Sequence, residues 1–178
     1  MSNRVLNTPH GEVPEIKEAV IANSETIQIG DFIRFESGGV CDIDATTEDI
    51  CGMAVDIVDN NGISLDSPTK GTVTGTWTAS SKQYAAASDN ETVDGVRVRF
   101  VPATSRTVFL VKMDAADGTS GTAKIGKYYQ ILTSDASQID ESTISETETS
   151  MQFQIADENG LGATNEIGVK VVLRQDAV

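Results

Sequence analysis

Apolar and polar residues alternate with a period of two along most of this chain. The stretches are "TIQIGDFIRF" (26–35), "GVCDID" (39–44), "ICGMAVDIV" (50–58), "GISLD" (62–66), "VTGTWTAS" (73–80), "VRVRFVPA" (96–103), "TVFLVKM" (107–113), "KYYQILT" (127–133), "SMQFQIAD" (150–157) and "EIGVKVVLR" (166–174). All are rich in Val, Ile, Thr and aromatic residues, which suit a pleated, half-buried surface. Between them stand "ESGG", "DNNG", "SPTKG", "DNETVDG", "DAADGTSG" and "DENG". Each supplies a Gly or Asn for positive φ, or an Asp that bonds its own backbone. Short strands at this spacing predict an all-β protein, a β-barrel or β-sandwich. Helical pattern is sparse: "PEIKEAVIANSE" (14–25) and "SSKQYAAAS" (80–88) would each supply a turn or two. The polar, acidic "TSDASQIDESTISETETS" (133–150) reads as a long exposed loop.

Two motifs recur. "IGDFIRF" (29–35) matches "IGKYYQI" (125–131), and "IVDNNGI" (57–63) matches "IADENGL" (155–161). Two matches in one order, at nearly one spacing, suggest a duplicated unit. The repeated glycine then has a backbone role, bending the chain where a strand opens. The expected organisation is an N-terminal arm over 1–25 and a barrel or sandwich domain over 26–178, with halves 26–113 and 114–178.

Composition narrows the partners. The 178 residues carry a formal net charge of −14, with 27 acidic against 13 basic side chains. Such a surface repels nucleic-acid phosphates, whose binding needs cations to displace counterions. It argues equally against anionic membranes. No run approaches the ~20 apolar residues of a membrane span, and "MSNRVLNTPHGEVPEIKEAV" has no apolar signal core. Cys41 and Cys51 lie on neighbouring strand candidates and could bond across a hairpin. Without an export signal, reduced and buried thiols are the expectation.

Candidate chemistry is thin. "GTAKIGKYY" nearly spells a phosphate-binding loop, but Tyr128 stands where the magnesium-binding hydroxyl belongs. The residues beyond it carry a strand pattern rather than the helix whose amides cradle phosphate. His10 is the only histidine, so neither a nucleophile–His pair nor a zinc set can be assembled. Carboxylates cluster at Asp42, Asp44, Glu48 and Asp49, at Asp56 and Asp59 beside Asn60 and Asn61, and at Asp114 and Asp117. Solvated turns are the favoured reading; the spacing of "DIVDNNG" departs from a calcium hand, and calcium stays open only at "DAADGTSG". Trp77, Tyr128 and Tyr129 read as core aromatics, with one of the two tyrosines buried and the other half exposed. No catalytic residue, cofactor or metal site is expected, and an enzyme is the last choice.

The stretch "IQIGDFIRFESGGVCDIDATTEDICGMAVDIV" (27–58) runs from a glycine-initiated strand through a Gly-Gly turn to "ICGMAVDIV" and an Asn-Gly turn. It resembles the barrel of tailed-bacteriophage capsid decoration, or cement, proteins. The second copy extends the resemblance weakly, and the loop over 133–150 departs from it. It implies a non-enzymatic structural protein of the virion, made in the host cytoplasm and bound to the outside of the head. It further implies the major capsid protein as partner, a homo-oligomer such as a trimer, and capsid stabilisation as the task. In such families an extended N-terminal arm grips the capsid. Here that stretch is "NRVLNTPHGEVPEI" (3–16), with Val5, Leu6, Pro9, Val13, Pro14 and Ile16 as the interface candidates; its prolines disfavour helix. The rival readings are a phage tail-tube or head–tail connector protein, and a calcium-dependent carbohydrate-binding or adhesion module.

Overall fold

The computed structural model describes residues 4–7, 15–43, 45, 48–104, 107–113, 126–145, 152–157 and 166–171. Every regular element among them is a strand, so the chain is all-β. It divides into two compact units, one of residues 15–42 and 51–102, the other of 1–14, 43–50 and 103–178. The boundaries expected from the sequence were 25/26 and 113/114. We call the units the N-proximal and C-proximal barrels.

The N-proximal barrel contains β2 (Lys17–Val20), β3 (Thr26–Gln28), β4 (Phe32–Glu36), β5 (Gly39–Asp42), β6 (Gly52–Val58), β7 (Thr76–Thr78), β8 (Gln83–Ala85) and β9 (Arg97–Pro102). Five strands pair in the order β2-β9-β6-β4-β5. A parallel bridge from Ile21 to Val40 joins the outer two and closes the ring. The closure needs glycine at position 39, because a Cβ there would stand 2.3 Å from the Val20 carbonyl oxygen. Ile21, Ile27, Ile33, Val40, Ile57, Leu65, Tyr84, Val98 and Phe100 fill the core.

The C-proximal barrel contains β1 (Arg4–Asn7), β10 (Val108–Met113), β11 (Tyr128–Ile131), β12 (Gln138–Ser145), β13 (Phe153–Asp157) and β14 (Glu166–Val171). The order is β1-β10-β12-β11-β13-β14, and β10 also pairs with β14, so five strands again form a ring. Phe109, Val111, Tyr129, Ile131, Ile139 and Phe153 are buried.

The two rings repeat each other in register, apart from a shift between Tyr128 and Gln130 in the β11–β12 pair that β4–β5 lacks. Ile21 bridges Val40 in parallel, as Met113 pairs in parallel with Ile139. Phe35 faces Val40 and Arg34 faces Cys41, as Ile131 faces Ile139 and Gln130 faces Asp140. Phe32 and Ile33 face Met53 and Gly52, as Tyr128 and Tyr129 face Gln154 and Phe153. The bulge between Ala54 and Asp56 recurs between Ile155 and Asp157. Lys17 and Glu18 face Phe100 and Arg99, as Phe109 and Leu110 face Val169 and Gly168. The Gly30 amide donates to the Ala54 carbonyl (2.9 Å) and the Gly126 amide to the Ile155 carbonyl (3.0 Å). Both glycines have positive φ, 105° and 84°. The repeated "IG" motif is therefore architecture, a turn that opens one strand of the ring.

The second motif match is shifted. "IVDNNGI" and "IADENGL" align by their Asn-Gly pairs, but strand register sets Ala54 with Ile155 and Asp56 with Asp157. In sequence, the stretch from the bulge to the Asn-Gly pair is three residues shorter in the second copy (Asp56 to Asn61, against Asp157 to Asn159). The larger difference lies in the link between the last two ring strands. Residues 59–96 fill it in the N-proximal barrel and carry β7 and β8, which join β3 in a three-stranded sheet of order β3-β8-β7. Residues 158–165 fill it in the other copy.

Four expectations need correction. The helical turns expected at 14–25 and 80–88 are occupied by β2 and β8, because pairing with β9 and with β3 and β7 overrides local propensity. The loop expected over 133–150 contains β12, which pairs with β10 and β11 and buries Ile139 completely. The single strand expected at 26–35 breaks at Gly30 into β3 and β4. "GISLD" forms no strand and contributes one bridge, Val58 to Ser64.

Candidate functional site

The long link of the N-proximal barrel is held by carboxylates and amides rather than by apolar packing alone. Asp59 is buried, and its side chain accepts the amides of Asn61 and Ile63 (2.9 Å each) and of Gly71 (2.6 Å). Burial opposes ionisation, but those three donors and the Arg97 charge outweigh it and hold the carboxyl below its ordinary value. Asp94 does the same for the stretch before β7. It accepts the Thr74 amide and hydroxyl (2.8 Å each), the Gly75 amide (3.1 Å) and the Tyr84 hydroxyl (3.1 Å). Burial again opposes, and the Thr74 and Gly75 donors prevail, so Asp94 too lies low. Asn90, fully buried, donates to the carbonyls of Ile21 (2.6 Å) and Val96 (3.2 Å). Its oxygen accepts from the Val96 amide (3.3 Å) and the Tyr84 hydroxyl (3.2 Å).

These contacts show what Asp59 and Asp94 do: each organises its own part of the link. The carboxylates of Asp56 and Asp59 are engaged by their own link and by Arg99, which reaches Asp56 at 3.4 Å and the Gly62 carbonyl at 3.1 Å. Among the described residues no group of three or more His, Cys, Asp or Glu side chains converges as a metal set. Asp44, His10 and all of "DAADGTSG" (114–121), with Asp114 and Asp117, lie outside the described residues. So does 121–125; the described end of the phosphate-loop look-alike is Gly126, which leads into strand β11, as expected.

Cys41 and Cys51 are free thiols. β4 runs between them: Cys41 pairs with Arg34 across one edge, and the Cys51 amide donates to the Ile33 carbonyl (2.8 Å) across the other. Two strand spacings, about 9–10 Å, exceed the roughly 7 Å that a disulfide can span. Burial pushes both thiols up to about 12, with Glu36 adding to the effect at Cys41, so neither is a nucleophile at neutral pH. Of the tyrosines, Tyr129 is fully buried and Tyr128 half-buried, as alternation requires; Trp77 is half-buried against the core.

What the described surface offers a partner is edges and apolar side chains. Val5 and Leu6 lie on β1, which pairs antiparallel with β10 at the edge of its sheet. Pro9, Val13 and Pro14 fall outside the described residues. Ile16, just ahead of β2, is 54% exposed. Sequence reasoning passed over Phe35, which is 62% exposed. Its ring meets that of buried Phe100 edge-on, with centroids 6.0 Å apart. The signal was present as "FIRF", where alternation puts Phe35 on the face of Ile33 at the strand's far end. On the opposite face Glu18 binds Arg99 (2.7 Å) and Arg97 (3.3 Å). The Arg99 hydrogen bond and the two guanidinium charges hold its carboxyl low.

No family model, no curated protein and no solved structure matches this chain.

Proposed function

We propose that the chain is a non-enzymatic structural protein that binds the outside of a tailed-phage head and stabilises it. The observation that carries this reading is the repetition of one five-stranded ring, in register, within a single polypeptide. Two like modules in tandem present related surfaces at a fixed stoichiometry, which suits attachment to a lattice of repeated subunits. The carboxylates of the long link are spent on their own loops, so the surface meets a partner through strand edges, Phe35, Ile16 and negative charge. The likeness of residues 27–58 to decoration proteins points the same way, with the major capsid protein as partner and a trimer as the expected assembly.

Cosedimentation with empty heads, assembled from the major capsid protein of the same virus and stripped of accessory proteins, tests the reading. Saturable binding at a fixed ratio to capsid subunits is expected, with a rise in the temperature at which the heads disrupt. Heads that sediment without the protein would refute it. Light scattering of the free protein separately reports the assembly state.

A further inference from the structure

In the C-proximal barrel, β10 pairs with β14 along one edge; along the other it pairs with β12 at Lys112 and Met113 and with β1 at Val108–Leu110. The N-proximal barrel has the same first strand, β2, with β9 on one edge and the Ile21–Val40 bridge on the other. The register places Ile16, Lys17 and Glu18 where Val108, Phe109 and Leu110 stand. Among the described residues nothing pairs with that stretch on its second edge. Among the described residues, one barrel therefore has a strand in this place and the other has it open.

Side chains follow the difference. Phe109 and Leu110 are buried at 0% and 3%, whereas Lys17 and Glu18 are exposed. Ile131 is 1% exposed; Phe35, at the same place in the ring, is 62% exposed. Charged residues protect a bare strand edge from chance pairing, which accounts for Lys17 and Glu18. Edge protection does not account for Phe35, whose ring leans on Phe100, the cross-strand partner of Lys17.

We infer that the open edge at Ile16–Glu18 is a docking slot for an extended strand of a different protein, added antiparallel to β2 and covering Phe35. The occupant is specified by the filled copy. There Arg4 faces Leu110, Val5 faces Phe109 and Asn7 faces Val108. In the open copy an acidic residue would face Lys17 and an uncharged residue Ile16, since opposite charges across strands attract and like charges repel; opposite Glu18, whose carboxylate Arg99 and Arg97 already hold, the slot sets no charge. Main-chain hydrogen bonds supply affinity and these side chains selectivity. This chain's own arm is the poorer occupant: it puts Val5 opposite Lys17, and each copy has one such strand already paired with β10. The inference holds whatever lattice or assembly supplies the strand, and its test uses no capsid.

The probe is a synthetic peptide of residues 1–8 carrying Val5→Glu, titrated into the full-length, nitrogen-15-labelled chain. Saturable shifts of the amides of Ile16–Glu18 and Phe35 are expected. Lys17→Glu in the protein should weaken that peptide several-fold and favour the Val5→Lys peptide instead. Phe35→Asp, at an exposed site and so compatible with folding, should lose both. Amides at 16–18 and 35 that stay still with either peptide overturn the inference, as do shifts indifferent to the charge at position 17. A mass that grows with protein concentration, and ceases to grow when residues 1–8 are deleted, would give the slot to a second copy and also overturn it.

Discussion

Position for position, the two barrels share a ring and differ in what covers it. Where the C-proximal barrel has Phe109 and Leu110 buried beside β1, the N-proximal barrel has Lys17 and Glu18 in water. Where the former joins its last two ring strands through residues 158–165, the latter uses residues 59–96, tied down by Asp59, Asn90 and Asp94. The backbone register is shared in spite of this, apart from the shift between Tyr128 and Gln130 in β11–β12 that β4–β5 lacks. Strand pairing thus depends on the alternating inner face and the shared bulge, while the character of the remaining positions depends on whether another segment lies over them. Matched substitutions at equivalent positions can test that separation.

The largest contrast is expected at the first ring strand. Phe109→Ala deletes a fully buried ring and should cost about 3–5 kcal/mol. Lys17→Ala, at the equivalent exposed place, should stay within about 0.5 kcal/mol of wild type. Urea unfolding of both variants checks the pair. Equal losses would mean that Lys17 is covered in solution and that the two mouths are alike.

Next in size is Asn90→Ala. It leaves the Ile21 carbonyl and the Val96 amide short of a buried partner, and the expected loss is about 2–4 kcal/mol. Hydrogen exchange should show lost protection in β9 while β11 and β13 keep theirs. Parallel loss in all of them would show that the two barrels unfold as one cooperative unit.

Much of this organisation was legible in the chain. Strands with alternating Val and Ile, such as "VRVRFVPA" and "TVFLVKM", lie where the pattern put them, because their inner faces need the core. The duplication was legible through glycine: Gly30 and Gly126 mark the same turn. β2 and β12 were not, and the reason is shared. Each is the first or third strand of a ring and is placed by distant pairing, and "KEAV" and "QIDESTIS" carry too little apolar alternation to announce it. The open edge was illegible for a deeper reason. It is defined by a missing neighbour, which only comparison of the two registers exposes; of its residues the sequence had singled out Ile16 alone.

A smaller effect separates the barrels by pH. The folded pKa of Asp59 lies below its ordinary 3.8. Its stabilisation is therefore complete above that value and is lost as pH falls through the lower, folded one. Asp59→Asn should be less stable than wild type at neutral pH, and the gap should close in acid, with the exchange protection of residues 61–71 falling first. A gap that persists unchanged to low pH would assign the loss to packing rather than to charge.

The smallest contrast should be no contrast at all. Gly30 and Gly126 hold φ of 105° and 84°, and both donate their amides across the ring to equivalent carbonyls. A Cβ at Gly126 would meet no heavy atom within 4 Å, so Gly126→Ala isolates backbone strain, about 1–2 kcal/mol. Gly30→Ala should cost a similar amount, slightly more because its φ lies further from the left-handed well that alanine tolerates. The two losses should add in the double variant, since each turn acts within its own ring. Thermal unfolding of the two single variants and the double one measures this. A large cost at Gly30 with none at Gly126 would show that the shared motif is a strained turn in one barrel and an incidental glycine in the other, and the equivalence would then rest on strand register alone.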